Sequence, residues 1–292
     1  MPDSPIHDVS DTAFWVAALR EVESARPDAL FVDEAVSCLV EGRGRTILAG
    51  VGDDPNVAWA IAIRTVVIDE LLAGALRAGC DTVLNLGAGL DTRPYRLALP
   101  ASLRWVEVDF PATISFKEAR LSGRPAACRV ERHGLDLSDR RARARLFEAI
   151  GAESRRTLVL TEGVLPYLHN TAVAELARDL HAQVTFASWI VDEVTRRFLL
   201  ATRVMRHGRA LRETPLRFSP GDWEGSFAAW GWAIGERCPL GYAGARLGRP
   251  LPLSAWLRPL FDRLPARVKH EVWTAGSYNR LDRAPSSSPT PR

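Results

Sequence analysis

The chain reads as an α/β protein: a doubly wound, mostly parallel sheet of seven strands with an antiparallel edge, preceded by a helical cap and carrying a helical lid insertion. Three observations predict this. Residues 1–78 carry apolar side chains at helical spacing and no convincing strand. From Asp81 onward, short apolar runs that end in acidic or glycine positions alternate with helix-like stretches, which is the pattern of βαβ units. One of these runs passes straight into a glycine turn, Leu84-Asn85-Leu86-Gly87-Ala88-Gly89. The 292 residues suffice for one large α/β domain. With 47% hydrophobic and 25% charged residues the composition sits on the globular average, which excludes disordered, collagenous and coiled-coil classes.

Taken in order, helices are expected over Asp11 to Glu23 and Val57 to Ala78, where Ile61, Ile68, Leu71, Leu72 and Leu76 form one broad apolar face. Five strands follow at Thr82 to Leu86, Leu103 to Val108, Cys128 to Glu131, Thr157 to Leu160 and Val184 to Ser188. The helices between them fall at Pro111 to Leu121, Ser138 to Ile150 and Asn170 to His181, with Ser138 and Asn170 as caps. Each crossover is long enough for a right-handed connection. Ile190 to Phe227 is longer than an ordinary crossover and reads as helical, hence a lid. Trp232 to Arg237 and Val268 to Thr274 alternate and supply the last two strands. The expected organisation is a cap at 1–78, a core at 79–189, a lid at 190–230, closing strands at 231–282 and a disordered tail at 283–292.

The 38 basic and 35 acidic residues are dispersed and leave a net charge of +3, so no nucleic-acid footprint stands out. Lys117 and Lys269 are the only lysines among the basic residues. Cys38, Cys80, Cys128 and Cys238 lack metal-ligand or paired spacing and read as reduced thiols, with no metal expected. The N-terminus lacks a signal-peptide pattern and no apolar run reaches membrane-span length, so no membrane partner and a cytoplasmic location are expected.

The chemistry collects at strand ends. Gly87 and Gly89 allow a ligand to approach the backbone closely, but the third glycine of a dinucleotide fingerprint would fall at Thr92, which disfavours NAD and favours a nucleoside without phosphates. Asp109 ends the second strand about 20 residues after the glycines, where a carboxylate reaches ribose hydroxyls; Glu107 lies deeper and ranks second. Asp136 follows the third strand and Glu162 the fourth. In an open α/β sheet all of these converge on the crevice beyond the carboxyl ends.

Several stretches make the chain resemble the leucine carboxyl methyltransferase family, in particular its bacterial branch of polyketide-type O-methyltransferases that includes the tetracenomycin enzyme. They are Arg26 to Phe31, Ile63-Arg64-Thr65 with Ile68-Asp69, Leu84 to Leu97, Val106 to Pro111 and Leu160 to Leu168. The resemblance implies a class I, Rossmann-like, S-adenosylmethionine-dependent enzyme. It implies that Arg64 pairs with the methionyl carboxylate, that the Gly87 backbone and Glu162 hold the methionyl amine, that Asp109 takes the ribose, and that Asp136 and the Leu137 N–H read the adenine. Asp33-Glu34 departs from the family's Asp-Pro, and Arg196 to Pro265 aligns with no motif.

Methyl transfer from a sulfonium needs an oxygen placed in line at roughly 3–3.5 Å and the exclusion of water. A carboxylate acceptor needs only orienting donors, for which Arg93, Arg96 and Tyr167 are candidates; a phenol or alcohol calls for a base, and His169 is the nearest. Each has a structural alternative: Arg93 and Arg96 pin the glycine turn, Tyr167 packs, and His169 merely begins a helix. The expected partner is a small-molecule acceptor. A protein's terminal carboxylate, and a non-catalytic cofactor-binding relative, are the rival readings.

Overall fold

The computed structural model describes residues 9–40, 42–51, 54–195, 216–254 and 256–284. Four helices lead the chain: α1 (Val9–Ser24), α2 (Ser37–Val40), α3 (Arg43–Val51) and α4 (Pro55–Arg77). Asp54 caps α4 by accepting from the Asn56 N–H, and Pro55 at its first position is preset for helix. Then come β1 (Thr82–Leu86), α5 (Arg93–Arg96), β2 (Arg104–Asp109), α6 (Pro111–Leu121), β3 (Arg129–Gly134), α7 (Arg140–Glu153), β4 (Thr157–Thr161), α8 (Asn170–Ala182) and β5 (Phe186–Val194). The chain closes with α9 (Trp223–Ala229), β6 (Trp232–Pro239), α10 (Leu240–Arg246), α11 (Arg258–Asp262), α12 (Ala266–Trp273) and β7 (Gly276–Arg283).

The seven strands form one sheet in the order β3-β2-β1-β4-β5-β7-β6. β1 to β5 are parallel, and β7 lies antiparallel between β5 and β6. Chain order reverses between β1 and β4, so the switch-point crevice opens beyond the ends of those two strands. Alternation along the strands sends side chains to two apolar layers. Leu84, Val106, Val159 and Trp189 pack with Phe147 of α7, Leu176 of α8 and Phe227 of α9 on one face. Val83, Trp105, Leu158 and Ile190 pack with Ile63, Val67 and Leu71 of α4 on the other. A third cluster joins α1, α2 and α3 through Trp15, Leu19, Leu39 and Ile47 and reaches Leu90 of the glycine turn. Thus α4, expected as part of the cap, also covers the sheet.

Three expectations need correction. The last strand is not Val268 to Thr274, which is the helix α12: Val268 and Val272 are spaced i, i+4 and line one helical face, and Thr274 N–H bonds the His270 carbonyl. The strand is β7, whose polar sequence hid it. Asn279 is fully buried there and its amide donates to Glu193 of β5 at 2.7 Å, so pairing across the sheet satisfies side chains that on their own suggest a loop. The proposed lid does not begin at 190 either, because β5 continues to Val194; at its other end α9 buries Phe227 in the core, while residues 196–215 lie outside the described residues. Of the tail, Arg283 closes β7 and residues 285–292 lie outside the described residues. The caps also shift by one: Asp139 caps α7, and His169 precedes α8. No helix of the described residues is long and apolar enough to cross a membrane.

Glu107, the second choice for ribose, is unavailable. It is fully buried on β2, where Lys117 of α6 approaches one oxygen at 2.8 Å and Arg132 of β3 bonds the other at 2.9 Å. A buried ion pair contributes little net stability, yet removing one partner strands the other. Lys117→Met is therefore expected to lower unfolding stability in urea by about 3 kcal/mol, and Lys117→Met with Glu107→Gln to recover most of it. An unchanged midpoint in the single variant would contradict the assignment.

Candidate active site

A cavity of about 1340 Å³ opens at the switch point. It is lined by Gly87, Gly89, Asp109, Asp136, Leu137, Glu162, Arg64 and Tyr167, so eight of the ten expected site residues meet there. Gly87 has φ +66°, and a Cβ on it would stand 2.4 Å from Val164; Gly89 has φ +44°. Both conformations favour glycine, and both bring the backbone to the cavity surface. Asp109 sets the turn: its Oδ2 accepts the Gly89 N–H at 2.7 Å and its Oδ1 the Phe110 N–H at 2.7 Å. A carboxylate offers about four acceptor positions, so it retains capacity for hydroxyl donors. Asp136 accepts the Ser138 N–H at 2.8 Å through Oδ1.

At the other side of the turn, Arg64 of α4 meets Glu162 beyond β4 at 3.0 Å. Burial would raise the Glu162 carboxyl, but Arg93 and then Arg64 outweigh it and hold it below its ordinary value. This pair of opposite charges, facing a cavity, suits a zwitterionic head: a carboxylate takes Arg64, an ammonium takes Glu162, and both ions stay paired.

Arg93 does not face an acceptor. It is 1% exposed and absent from the cavity wall, and it binds Asp69 of α4 at 2.7 Å, Asp91 of the turn at 2.9 Å and Glu162 at 2.7 Å. Against burial, these three carboxylates hold its guanidinium well above the ordinary value, and Arg93, Lys117 and Arg20 hold Asp91 far below. Arg96 likewise grips Asp69 at 2.7 Å. Both arginines pin the turn, as the alternative reading allowed. His169 is exposed, lies outside the cavity wall, and contacts Arg217 at 2.9 Å. A base there could not reach an oxygen inside. Tyr167 does line the cavity; burial raises its phenol, with Arg64 opposing, and its hydroxyl bonds Thr12.

Sequence reasoning missed Asp192, Tyr278, Trp15 and Trp59, all on the cavity wall. Asp192 lies near the end of β5, two residues beyond the Leu160–Ile190 pair with β4, and burial pushes its carboxyl up to about 7. It satisfies the same criterion that found Asp109 and Glu162, an acid at a strand's carboxyl end, but the strand's end was placed at Ser188. Of the tryptophans from Trp189 onward, Trp273 reaches the cavity; Trp189 and Trp232 fill the core, and Trp256 is 76% exposed. Among the described residues no cluster of metal-ligating side chains occurs.

The Leucine carboxyl methyltransferase family profile matches residues 13–181. A Frankia alni relative with a provisional S-adenosyl-L-methionine-dependent methyltransferase name is 34% identical over 262 residues, covering 82% of this chain and 89% of its own. A Mycobacterium avium relative with the same provisional name is 32% identical over 274 residues, covering 84% and 85%. Among solved structures, a provisionally named methyltransferase of Thermobifida fusca shares the fold at TM-score 0.56 and 16% identity, with 97% of each chain covered. A DUF574 family protein of Streptomyces avermitilis does so at TM-score 0.54 and 16% identity, over 92% of this chain and 97% of its own. The profile spans the glycine turn, Asp109, Asp136 and the Arg64–Glu162 pair that the cavity brings together, and the chain belongs to the leucine carboxyl methyltransferase family, as an S-adenosylmethionine-dependent methyltransferase.

Proposed function

We propose that this methyltransferase acts on oxygen, transferring the methyl group to a carboxylate or phenolic hydroxyl of a small molecule of the polyketide-like or other specialised-metabolite class. The observation that carries this reading is the cavity itself. At about 1340 Å³ it exceeds the roughly 300–1,000 Å³ of a single small-molecule site, so an acceptor fits beside the cofactor. Its wall beyond Arg64 is largely apolar and aromatic, with Trp15, Trp59, Leu240, Leu253 and Trp273, which suits a flat hydrophobic acceptor.

The cofactor supplies an activated sulfonium methyl. The chain's residues bind and orient: Arg64 takes the methionyl carboxylate, Glu162 and the Gly87 backbone the amine, Asp109 the ribose hydroxyls, and Asp136 with the Leu137 N–H the adenine. Tyr167, between Thr12 and Arg64, is placed to position the acceptor. The apolar wall excludes water from the transfer. Incubation with methyl-labelled S-adenosylmethionine and cell extract tests this: label in small molecules supports it, label in macromolecules favours a protein terminal carboxylate, and binding without any labelled product favours a non-catalytic relative.

Asp109→Asn keeps an oxygen for the Gly89 N–H but removes the charge. Calorimetric affinity for S-adenosylmethionine is expected to fall roughly 10- to 100-fold, from ~1.5–3 kcal/mol of charged hydrogen bonding, while circular dichroism stays unchanged. Full affinity in this variant would end the ribose assignment. Arg93→Met separates pinning from acceptor orientation: it is expected to lower stability by about 3–5 kcal/mol, because buried Asp91 loses its ion-pair partner while Asp69 and Glu162 are left with Arg96 and Arg64 alone. Asp91 and Glu162 titrate below their ordinary 3.8 and 4.5 in the folded chain, so the stability they provide is complete above pH 4.5 and is lost as pH falls below it. That acid loss should be visible in wild-type urea titrations between pH 4.5 and 3 and shallower in Arg93→Met. A variant with wild-type stability and a raised KM for acceptor would instead return Arg93 to the acceptor.

A further inference from the structure

The charge inventory of the cavity discriminates between acceptors. Four arginines line it among the described residues, and each stands within 4.0 Å of a carboxylate: Arg64 by Glu162, Arg20 by Asp33, Arg140 by Glu175 and Arg143 by Asp179. When the cofactor's own carboxylate takes Arg64, the other three wall arginines among the described residues each keep a carboxylate of the chain as neighbour. Near the end of β5, by contrast, Asp192 and Glu193 both stand on the wall; Glu193 is paired with Arg237 at 3.5 Å and accepts from Ser277 and Asn279, which leaves Asp192 as the acid with an oxygen unused. An anionic acceptor beside Asp192 meets like charge in a partly desolvated space, whereas a neutral hydroxyl meets a hydrogen-bond acceptor.

Asp192 is 5% exposed, and its Oδ1 is buried without a hydrogen-bond partner. Its remaining acceptor capacity is used by backbone N–H groups, its own and that of Gly163. Native structures rarely leave a buried carboxylate oxygen empty, and a site that faces a substrate cavity is where they do so. The charged and titratable groups around it are Arg64 from α4, Glu162 beyond β4, Tyr167 in the following turn, Glu193 on β5 and Tyr278 from β7, which pairs with Asp192 across the sheet. Arg64 also bonds the Tyr278 hydroxyl. Glu162 is held down by Arg93 and Arg64, which makes it a poor proton acceptor, and burial raises both tyrosines, which therefore stay protonated. His169 is outside. Asp192 is left.

On the reading of this cavity as a methyl-transfer site, we propose that Asp192 is the general base and that the acceptor is a neutral phenolic or alcoholic hydroxyl on an otherwise apolar molecule. The hydroxyl donates to Oδ1. As its oxygen forms the bond to the methyl carbon, the methyl–sulfur bond breaks with its electron pair kept by sulfur, and the hydroxyl proton passes to Asp192. The products are a methyl ether, a neutral thioether and a protonated carboxyl group, so charge and atoms balance. Burial holds Asp192 at about 7, near the pH at which it would work.

The test uses the full chain, its Asp192→Asn and Asp192→Glu variants, and a matched pair of probes, 2-naphthol and 2-naphthoate, within a panel of simple phenols, alcohols and the corresponding acids. Products are identified by mass spectrometry, and S-adenosylmethionine binding and thermal unfolding are measured separately. Hydroxyl compounds are expected to give methyl ethers, with kcat/KM rising to a plateau through a midpoint at or below about pH 7. Asp192→Asn should bind the cofactor as wild type does, lose about 100-fold or more in rate, and instead climb toward the acceptor's own pKa, about 10 for a phenol. Asp192→Glu should restore the plateau with a smaller loss, which a structural role would not do. Esters from the acids in place of ethers, no hydroxyl methylated despite cofactor binding, an unaltered pH profile in Asp192→Asn, or loss of cofactor affinity in that variant would each overturn the proposal. A wild-type chain that fails to bind S-adenosylmethionine would instead overturn the reading of the cavity.

Discussion

The site depends on one buried cation. Arg93 is withdrawn from water beneath the glycine turn, and burying a guanidinium costs several kcal/mol unless its donors are fully used. Three carboxylates from three parts of the chain use them: Asp69 on α4, Asp91 in the turn and Glu162 beyond β4. None of these elements can move without leaving a charge unpaired in a dry place. The same geometry holds the Glu162 carboxyl below its ordinary value and presents it to Arg64, so the pair of opposite charges at the cavity surface is a by-product of an electrostatic problem solved one layer beneath.

A second layer ties the N-terminal helices to that hub. Thr92, which stands where a dinucleotide binder has its third glycine, is fully buried and donates its hydroxyl to Asp33 at 2.5 Å. Arg20 and Arg96 approach the same carboxylate, at 3.8 and 4.0 Å, and Arg20 also donates to the Leu90 carbonyl. The residue that breaks the fingerprint thus closes the cap onto the turn. In the Asp33-Glu34 pair the departure from the family's Asp-Pro falls on Glu34, and the aspartate that holds the turn is the half that matches the pattern.

Most of the parallel half was legible because its signals are local. β1 and α6 fall at their expected residues, and β2, β3 and β4 within a few, since each is an apolar run that stops at a turn residue or an acid. That Gly87, Gly89, Asp109, Asp136 and Glu162 would meet at one cavity followed from their position at strand ends. What failed shares one cause: the local pattern was overruled by pairing. β7 is polar and central, its Asn279 satisfied by Glu193; β5 runs past Ser188 because β7 pairs with it as far as Val194; α12 shows alternation that is equally an i, i+4 stripe. Arg93 could be placed next to the turn from sequence, but whether it turned inward depended on Asp69, 24 residues earlier, and on Glu162, 69 residues later.

The two ends of the cavity come from different stretches of chain. Gly87, Gly89, Asp109, Asp136, Leu137 and Glu162 all lie within the βαβ core and inside the residues that match the family profile. The end proposed for the acceptor is assembled from Trp15 of α1, Trp59 of α4, Asp192 of β5, Trp273 of α12 and Tyr278 of β7, and the profile stops at residue 181, before the last three. Membership in the family consequently specifies which cofactor is bound and says little about which molecule receives its methyl group. On the proposed reading that choice rests on side chains brought together only when β7 inserts beside β5, and there the buried carboxylate of Asp192, one oxygen without a partner at the cavity wall, is the strongest physical constraint among the described residues.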